Sequence, residues 1–173
     1  MKNIVLVSIL VLVTSYSTNL FGQETSKTVL STDNHVSLVI PASLDTFNLN
    51  NAAVLQYGNG SKEIYIIVIN DPKIDLIGWN LTKHSYIILG NLIKSLSSPK
   101  VTPPKELVIH GFNAVQYEIQ GTVNDLNVVY VLTDIETPHV FSQLLSWTLK
   151  SHADDNLPVL REVAKSFNDP DVK

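Results

Sequence analysis

The segment 105–149 constrains the fold more than any other part of this sequence. It contains four apolar runs that are separated by short turns, with no room for a helix between them. Connections this short join strands antiparallel, because a parallel crossover needs about a dozen residues or more. Within the segment, Val115, Tyr117 and Ile119 alternate with polar neighbours, which is typical of a strand with one polar face. The segment therefore predicts a four-strand antiparallel meander.

Three further strands are predicted upstream of the meander. The first, at 36–41, alternates apolar and polar residues and ends at a proline. The next two, at 52–57 and 63–70, flank the pair Asn59 and Gly60, and an Asn-Gly pair between apolar runs is a strong hairpin signal. Because the second of these runs is apolar at nearly every position, we expect it to be covered on both faces.

A long helix is predicted between this hairpin and the meander. Its apolar residues share one face through i, i+3, i+4 and i+7 spacing. They are Leu89, Leu92, Ile93 and Leu96, with Tyr86 one turn earlier. Asp75 or Asn80 is expected to cap the start of the helix, and Pro99 is expected to enforce its end.

A shorter helix is predicted after the meander, with Asp154 or Asp155 at its N-terminus and Pro158 in its first turn. Its apolar face consists of Leu160, Val163, Ala164 and Phe167. The elements together predict an α+β fold. We expect a single antiparallel sheet of about six or seven strands, packed with a long central helix and a C-terminal helix in an α/β/α sandwich.

The first 22 residues predict export. Lys2 gives a positive start, and the run 4–13 is apolar apart from one serine. Such a run is too short to span a bilayer but suits the core of a signal peptide. Small residues then allow cleavage after Ser17 or after Gly22. We therefore expect a signal peptide at 1–22 and an extracytoplasmic mature protein, periplasmic or secreted, that does not span the membrane.

The remaining sequence is predicted to form one domain. The polar stretch 23–34 is expected to be a flexible lead-in, 35–168 the folded domain, and 169–173 a frayed tail. The chain has 173 residues, which suits a single core. It contains no cysteine, which excludes disulfides, thiolate chemistry and a lipid-anchored lipoprotein.

Three stretches carry a resemblance to a known family. The segment 36–41 is similar to an opening strand, 141–148 to a closing strand, and 160–167 to a closing helix. In this arrangement the chain resembles the PsbP-like and DcrB-like α/β/α sandwich family of exported proteins. The resemblance covers about 36–168 and implies the architecture. Because this fold group hosts unrelated binding roles, the resemblance implies no particular ligand.

The charged residues and histidines exclude several classes of site. The formal net charge is −4, and Arg161 is the sole arginine, so a basic nucleic-acid-binding face is not expected. The five histidines are His35, His84, His110, His139 and His152, and no two have metal-ligand spacing. The His-carboxylate run 152–155 is interpreted as a solvated loop that leads into a helix. We therefore predict no metal ligand and no cofactor.

No catalytic residue is predicted either, because the sequence has no GxSxG motif and no glycine-rich phosphate loop. The preferred hypothesis is an exported, non-enzymatic binding or accessory module for a protein or small ligand. The alternative is a hydrolase or other enzyme with a dispersed His/acid site. Its candidate residues are His110, His139, His152, Asp154 and Glu136. A third hypothesis, a structural subunit, predicts an exposed apolar patch.

Overall fold

The computed structural model describes residues 25–172, so the predicted signal peptide at 1–22 lies outside the described residues. The described part contains ten strands and two α-helices. The strands are β1 (Ser26–Leu30), β2 (Ser37–Pro41), β3 (Asp45–Thr46), β4 (Leu55–Asn59), β5 (Ile64–Pro72), β6 (Ser97–Val101), β7 (Lys105–Ile109), β8 (Phe112–Val123), β9 (Leu126–Glu136) and β10 (Val140–Leu149). The helices are α1 (Leu81–Lys94) and α2 (Ala153–Lys165).

Eight strands form one antiparallel sheet in the order β3-β4-β5-β10-β9-β8-β6, and β7 pairs with β8 beside β6. Strands β7 to β10 are the predicted four-strand meander, which is confirmed. The predicted single sheet of about six or seven strands was approximate, because the predicted first strand, β2, pairs with β1 in a separate two-stranded sheet. The main sheet instead gains β3, which has two residues, and β6, which is exposed throughout. Neither has an apolar pattern. Pro99 lies within β6, where an edge strand tolerates proline.

Two segments that were predicted to be flexible contain described residues that take part in the fold. The lead-in predicted at 23–34 contains β1, which pairs antiparallel with β2 in a separate two-stranded sheet. In the tail predicted at 169–173, the side chain of Asp169 is fully buried. Just before it, Asn168 and Ser37 exchange two backbone hydrogen bonds of 2.8 and 3.0 Å. In the described residues of both segments, backbone pairing and burial thus involve polar residues that no apolar pattern marks.

Helix α1 begins at the predicted cap, since the Asn80 side chain accepts a hydrogen bond from the Lys83 backbone N–H at 2.9 Å. The predicted position of Tyr86 on the apolar face was wrong, because Tyr86 is 74% exposed. His84 and Ser85 lie on the buried face one turn below Ile88 instead. The i, i+3 and i+4 spacing thus continues through polar residues that an apolar pattern does not reveal.

Helix α2 has Asp154 and Asp155 in its first turn, as predicted. Pro158 lies within the helix in its second turn and not in the first, because the helix begins earlier, at Ala153. Proline there provides no backbone N–H to bond the carbonyl four residues earlier. The predicted apolar face is confirmed, and its four fully buried residues are Leu160, Val163, Ala164 and Phe167.

The two helices cover opposite faces of the main sheet. Val131 and Leu144 pack in the core beneath α2 and β2, whereas their neighbours Leu132 and Leu145 pack in the core beneath α1. Successive strand residues point to opposite faces, so each central strand contributes to both cores. The predicted α+β class, a sheet between two helices, is therefore confirmed. Within residues 25–172, neither helix is long and apolar enough to cross a membrane.

Candidate functional site

Polar side chains gather on both faces of the main sheet at the end where β5 finishes and β10 begins. Asp71 lies opposite Phe141, and Asn70 lies opposite Ser142. Because adjacent strand residues point to opposite faces, Asn70 and Asp71 each serve a different face. We define the α1-side cluster as Asp71, His84 and Asp134, and we describe the other face after it.

His84 is the centre of the α1-side cluster. It is 2% exposed, its Nδ1 lies 2.8 Å from Asp134 Oδ2, and its Nε2 lies 3.0 Å from Asp71 Oδ2. The Gln143 amide also donates to Asp71 Oδ2, and the Phe141 ring stacks on the imidazole at 4.5 Å. Since both ring nitrogens face carboxylate oxygens, both donate, and His84 is an imidazolium.

The pKa values of this cluster follow from the same contacts. Burial alone would lower the pKa of His84, but hydrogen bonds and attraction from Asp134 and Asp71 outweigh it and raise the pKa to about 9. The hydrogen bond from His84 lowers the pKa of Asp71 although burial opposes it. Burial and the neighbouring carboxylates Asp71 and Glu136 raise the pKa of Asp134. A charged, enclosed His84 is suited to holding elements together and not to accepting a proton from a substrate.

Lys73 extends this polar region along the start of the loop between β5 and α1. Its Nζ lies 2.7 Å from Glu136 Oε1 and 3.2 Å from the Thr137 carbonyl, and it stands 5.1 Å from the Phe141 ring centre. Its backbone N–H donates to the His139 carbonyl at 2.9 Å. The loop is therefore attached to the turn between β9 and β10 by both side chain and backbone.

The loop 73–80 then crosses the end of the sheet to the start of α1. It turns twice through backbone hydrogen bonds, from Leu76 to Lys73 and from Trp79 to Leu76, of 3.1 and 3.0 Å. Two of its side chains point into solvent, Ile74 at 80% and Ile77 at 87% exposure. Where the loop ends, a cavity of about 450 Å³ lies between the first turn of α1, β7 and β8.

The face opposite α1 carries a second group, which we define as the α2-side cluster: His35, Asp169 and Asp171. His35 Nδ1 lies 3.8 Å from Asp169 Oδ1 and 3.6 Å from Asp171 Oδ2, both too long for hydrogen bonds. Asp169 is fully buried, and its Oδ2 has no hydrogen-bond partner among the described residues; the same holds for the buried His35 Nδ1. One ligand atom from each residue lies within 4.8 Å of the others.

The α2-side cluster opens into a cavity of about 550 Å³ whose walls include Asp33, Asn70 and His139. Asn70 donates from its amide to Asp33 at 2.7 Å and accepts from the Ser142 hydroxyl at 2.8 Å. Burial would raise the pKa of Asp33, but hydrogen bonds from Ser31 and Asn70 lower it overall. The cavity wall is therefore anionic and held by strand residues.

The candidate residues of the enzyme alternative do not meet in one cavity. His110 lies in the turn between β7 and β8, where its Nδ1 is 2.7 Å from the Phe167 carbonyl oxygen. His139 and Glu136 line different cavities, one on each face of the sheet. His152 and Asp154 are exposed at the start of α2. Of these five residues, only His139 approaches another histidine, with its ring centre 5.9 Å from that of His35.

Sequence reasoning missed both clusters, since their members are far apart along the chain. One signal pointed to the α1-side cluster: Asp134 interrupts the otherwise apolar run of a central strand, and a buried carboxylate requires a partner. For the α2-side cluster, His35 and Asp169 lie 134 positions apart, His35 at the start of the predicted domain and Asp169 in the predicted tail. No local pattern links them.

No family model matches the chain, and no curated protein matches it. Solved structures do. LpqN of Mycobacterium tuberculosis, described as involved in cell envelope biogenesis, is similar with a TM-score of 0.61 and 14% identity over 85% of this chain and 91% of that one.

Two further structures are similar over most of the chain. The cyanobacterial PsbP (CyanoP) of Synechocystis sp. PCC 6803 has a TM-score of 0.56 and 14% identity, over 88% of this chain and 96% of that one. The Saccharomyces cerevisiae Ran-binding protein Mog1p has a TM-score of 0.57 and 11% identity, over 84% and 96%. At these identities the similarity establishes a PsbP/Mog1-like fold, and it confirms the PsbP-like part of the predicted resemblance.

Proposed function

We propose that this chain is an exported, non-enzymatic accessory module that binds a protein partner through the loop 73–80. Three lines of support converge. The first 22 residues have the pattern of a signal peptide. The fold is shared with a Ran-binding protein and with a protein involved in cell envelope biogenesis. The histidine and acidic residues of the enzyme alternative lie in separate places.

The observation that carries the proposal is the exposure of Ile74 and Ile77, at 80% and 87%. Single exposed apolar residues are ordinary on protein surfaces. These two differ because they stand three residues apart on one short loop that is firmly attached to the fold. A loop that keeps two isoleucines in water while Leu76 and Trp79 pack against the core beneath α1 is suited to contact with an apolar surface of another protein.

The attachment of the loop also lowers the cost of binding. Lys73 is paired with Glu136 at one end, and the Asn80 cap fixes the other end on α1. Beneath the loop, His84 joins α1 to Asp71 on β5. A loop that is already ordered loses little conformational entropy when a partner docks, so more of the buried apolar area contributes to affinity.

Site-directed photocrosslinking in the native host tests this docking surface. A photoreactive residue is placed at Ile77, and a matched one replaces Leu126, an exposed leucine (53%) beside the β8–β9 turn. We expect one discrete protein adduct from position 77 and none from position 126. Adding Ile74→Asp should remove that adduct, because a charge in the apolar contact opposes docking.

Two results would overturn the proposal. Equal adducts from positions 77 and 126 would mean nonspecific encounters, and no adduct from 77 in any growth condition would leave the loop without a partner. Export is tested separately by sequencing the N-terminus of the mature protein. We expect it to begin after Ser17 or Gly22 in an extracytoplasmic fraction; a chain that retains Met1 in the cytosol contradicts that half of the proposal.

A further inference from the structure

We propose that the α2-side cluster, His35, Asp169 and Asp171, binds a divalent first-row transition-metal ion such as Zn²⁺. The inference does not rest on the proposed function, although Ile74 of the loop 73–80 borders the same cavity as His35 and Asp171. Imidazole nitrogen and carboxylate oxygen are both common ligands of Zn²⁺.

The separations of the ligand atoms suit a small ion. His35 Nδ1 lies 3.6 Å from Asp171 Oδ2 and 3.8 Å from Asp169 Oδ1. In a tetrahedral site with bonds of about 2.1 Å, neighbouring ligand atoms stand about 3.4 Å apart. These two separations are too long for hydrogen bonds and only a few tenths of an ångström longer than the edge of such a tetrahedron. All three ligand atoms lie within 4.8 Å of one another, so side-chain rotations can bring them around one ion.

Unsatisfied polar atoms point to a ligand at this place. Asp169 is fully buried, its Oδ1 accepts the Asp171 backbone N–H at 3.1 Å, and its Oδ2 has no partner among the described residues. His35 Nδ1 is likewise buried and has no hydrogen-bond partner among the described residues. A buried carboxylate without a matching positive charge is costly, and a cation bound by the Asp169 carboxylate and His35 Nδ1 would offset that cost.

The backbone holds the two contributing segments in place. Ser37 and Asn168 exchange two backbone hydrogen bonds, which join the start of β2 to the segment after α2. On the first segment, Asp33 Oδ1 accepts from the Ser31 hydroxyl at 2.6 Å and from the His35 backbone N–H at 3.2 Å. The ligands thus sit on two ordered turns, and little backbone entropy is lost when an ion binds.

The donor set also predicts selectivity. Two carboxylates and one imidazole favour Zn²⁺ or Mn²⁺, whereas Ca²⁺ requires six to eight oxygen ligands and Mg²⁺ prefers oxygen in an octahedron. The cavity leaves the remaining coordination positions to water. His139 borders it with its ring centre 5.9 Å from that of His35, so a rotamer change would be needed for it to become a fourth ligand.

Calorimetric titration with ZnCl₂ tests the site on the protein as the cell produces it, without a histidine tag. We expect one Zn²⁺ per chain, with Ca²⁺ and Mg²⁺ failing to compete. His35→Ala and Asp171→Asn should each weaken binding by more than about tenfold, because each removes a ligand. The Asp171 side chain is 52% exposed, so its variant is expected to fold. His152→Ala is the matched control, since it removes an exposed histidine elsewhere and should leave Zn²⁺ affinity unchanged.

Three outcomes would overturn the proposal: no stoichiometric binding, equal affinity in His35→Ala and the parent, or a loss of affinity in the His152→Ala control. If the parent binds no Zn²⁺ and His35→Ala is destabilised in the presence of chelator, His35 stabilises the fold beside Asp169 and the metal proposal fails. Crosslinking through Ile77 is unaffected by any of these results, so the two proposals fail separately.

Discussion

Asn70 and Asp71 are neighbours in β5, yet Asp71 belongs to the α1-side cluster and Asn70 lines the cavity beside the α2-side cluster. On the α1 side, Asp71 meets a histidine whose two nitrogens both face carboxylates at 2.8 and 3.0 Å. On the other side, Asn70 borders a cavity that His35 also lines, and both His35 Nδ1 and Asp169 Oδ2 are buried without hydrogen-bond partners among the described residues. The first cluster bonds both nitrogens of its histidine to carboxylates and holds the fold together, although Asp134 Oδ1 is buried there without a hydrogen-bond partner among the described residues. In the second, the histidine makes no hydrogen bond to either carboxylate, which is expected of a site that receives a ligand from outside.

The largest effect on stability should come from the α1-side cluster. Replacing His84 with alanine leaves Asp134 buried without its counter-charge, so the free energy of unfolding should fall by about 3–5 kcal/mol. Urea denaturation monitored by circular dichroism measures it. His152→Ala, an exposed histidine at the start of α2, should change the free energy of unfolding by less than about 0.5 kcal/mol. If His84→Ala lowers the free energy of unfolding by less than about 1 kcal/mol, the α1-side cluster does not stabilise the fold as proposed.

The pH dependence of stability is the next largest effect. Because the pKa of His84 is raised from 6.5 to about 9 in the folded protein, its contribution is complete below about pH 6.5 and is lost as the pH rises through about 9. The loss is at most on the order of 3 kcal/mol. Urea denaturation across this range should therefore show declining stability in the parent chain. In His84→Gln the decline should disappear, and equal declines in both chains would contradict the assignment.

A substitution in the α2-side cluster should change stability in the opposite direction. Asp169→Asn removes a buried charge that has no direct counter-charge, so in chelator at pH 8 the free energy of unfolding should rise by up to about 1 kcal/mol. Denaturation with and without ZnCl₂ measures this, and Zn²⁺ should stabilise the parent more than the variant. If Asp169→Asn lowers the free energy of unfolding as much as His84→Ala does, Asp169 is stabilised by partners within the fold. The contrast between the α1-side and α2-side clusters would then be wrong.

The smallest effect on stability concerns the loop 73–80, next to the α1-side cluster. Lys73→Met removes a partly exposed ion pair with Glu136, and the free energy of unfolding should fall by about 0.2–1 kcal/mol. Hydrogen exchange at the Leu76 and Trp79 amides should become faster, since the loop loses an attachment. Lys165→Met, which breaks the more exposed pair with Glu162, should leave exchange in the loop unchanged. Equal exchange in both variants would mean that Lys73 does not order the loop.

The meander could be predicted because its information is local. Alternation such as that of Val115, Tyr117 and Ile119 determines which face of a strand is buried, and short turns determine antiparallel pairing. The predictions were wrong where burial is slight. Strands β1, β3 and β6 lie outside the central strands, and their polar residues gain order through backbone pairing, which side-chain patterns do not report.

The hairpin formed by β4 and β5 shows, at a single turn, that a local sequence signal does not determine every detail of the structure. Strands β4 and β5 pair as the Asn-Gly signal predicted, but β4 extends through Asn59, and the positive φ of 53° falls on Glu63. The Asn59 side chain accepts backbone hydrogen bonds from Ser61 and Lys62, each at 3.0 Å, and this stabilises a longer turn than the predicted one. The Asn-Gly pair thus predicted that a hairpin forms, but it did not predict the length of the turn or the register of the two strands.

The amino-acid sequence alone determined the sheet-and-helix character of this protein, the central strands and the absence of thiol chemistry, because apolar periodicity and composition act over a few residues. Only the tertiary structure decided that His84 meets Asp134, and that His35 meets Asp169. Those encounters depend on strand register and on which helix covers which face. A polar pair across two layers leaves no periodic trace in the sequence, so its partners become visible only once the layers are packed together.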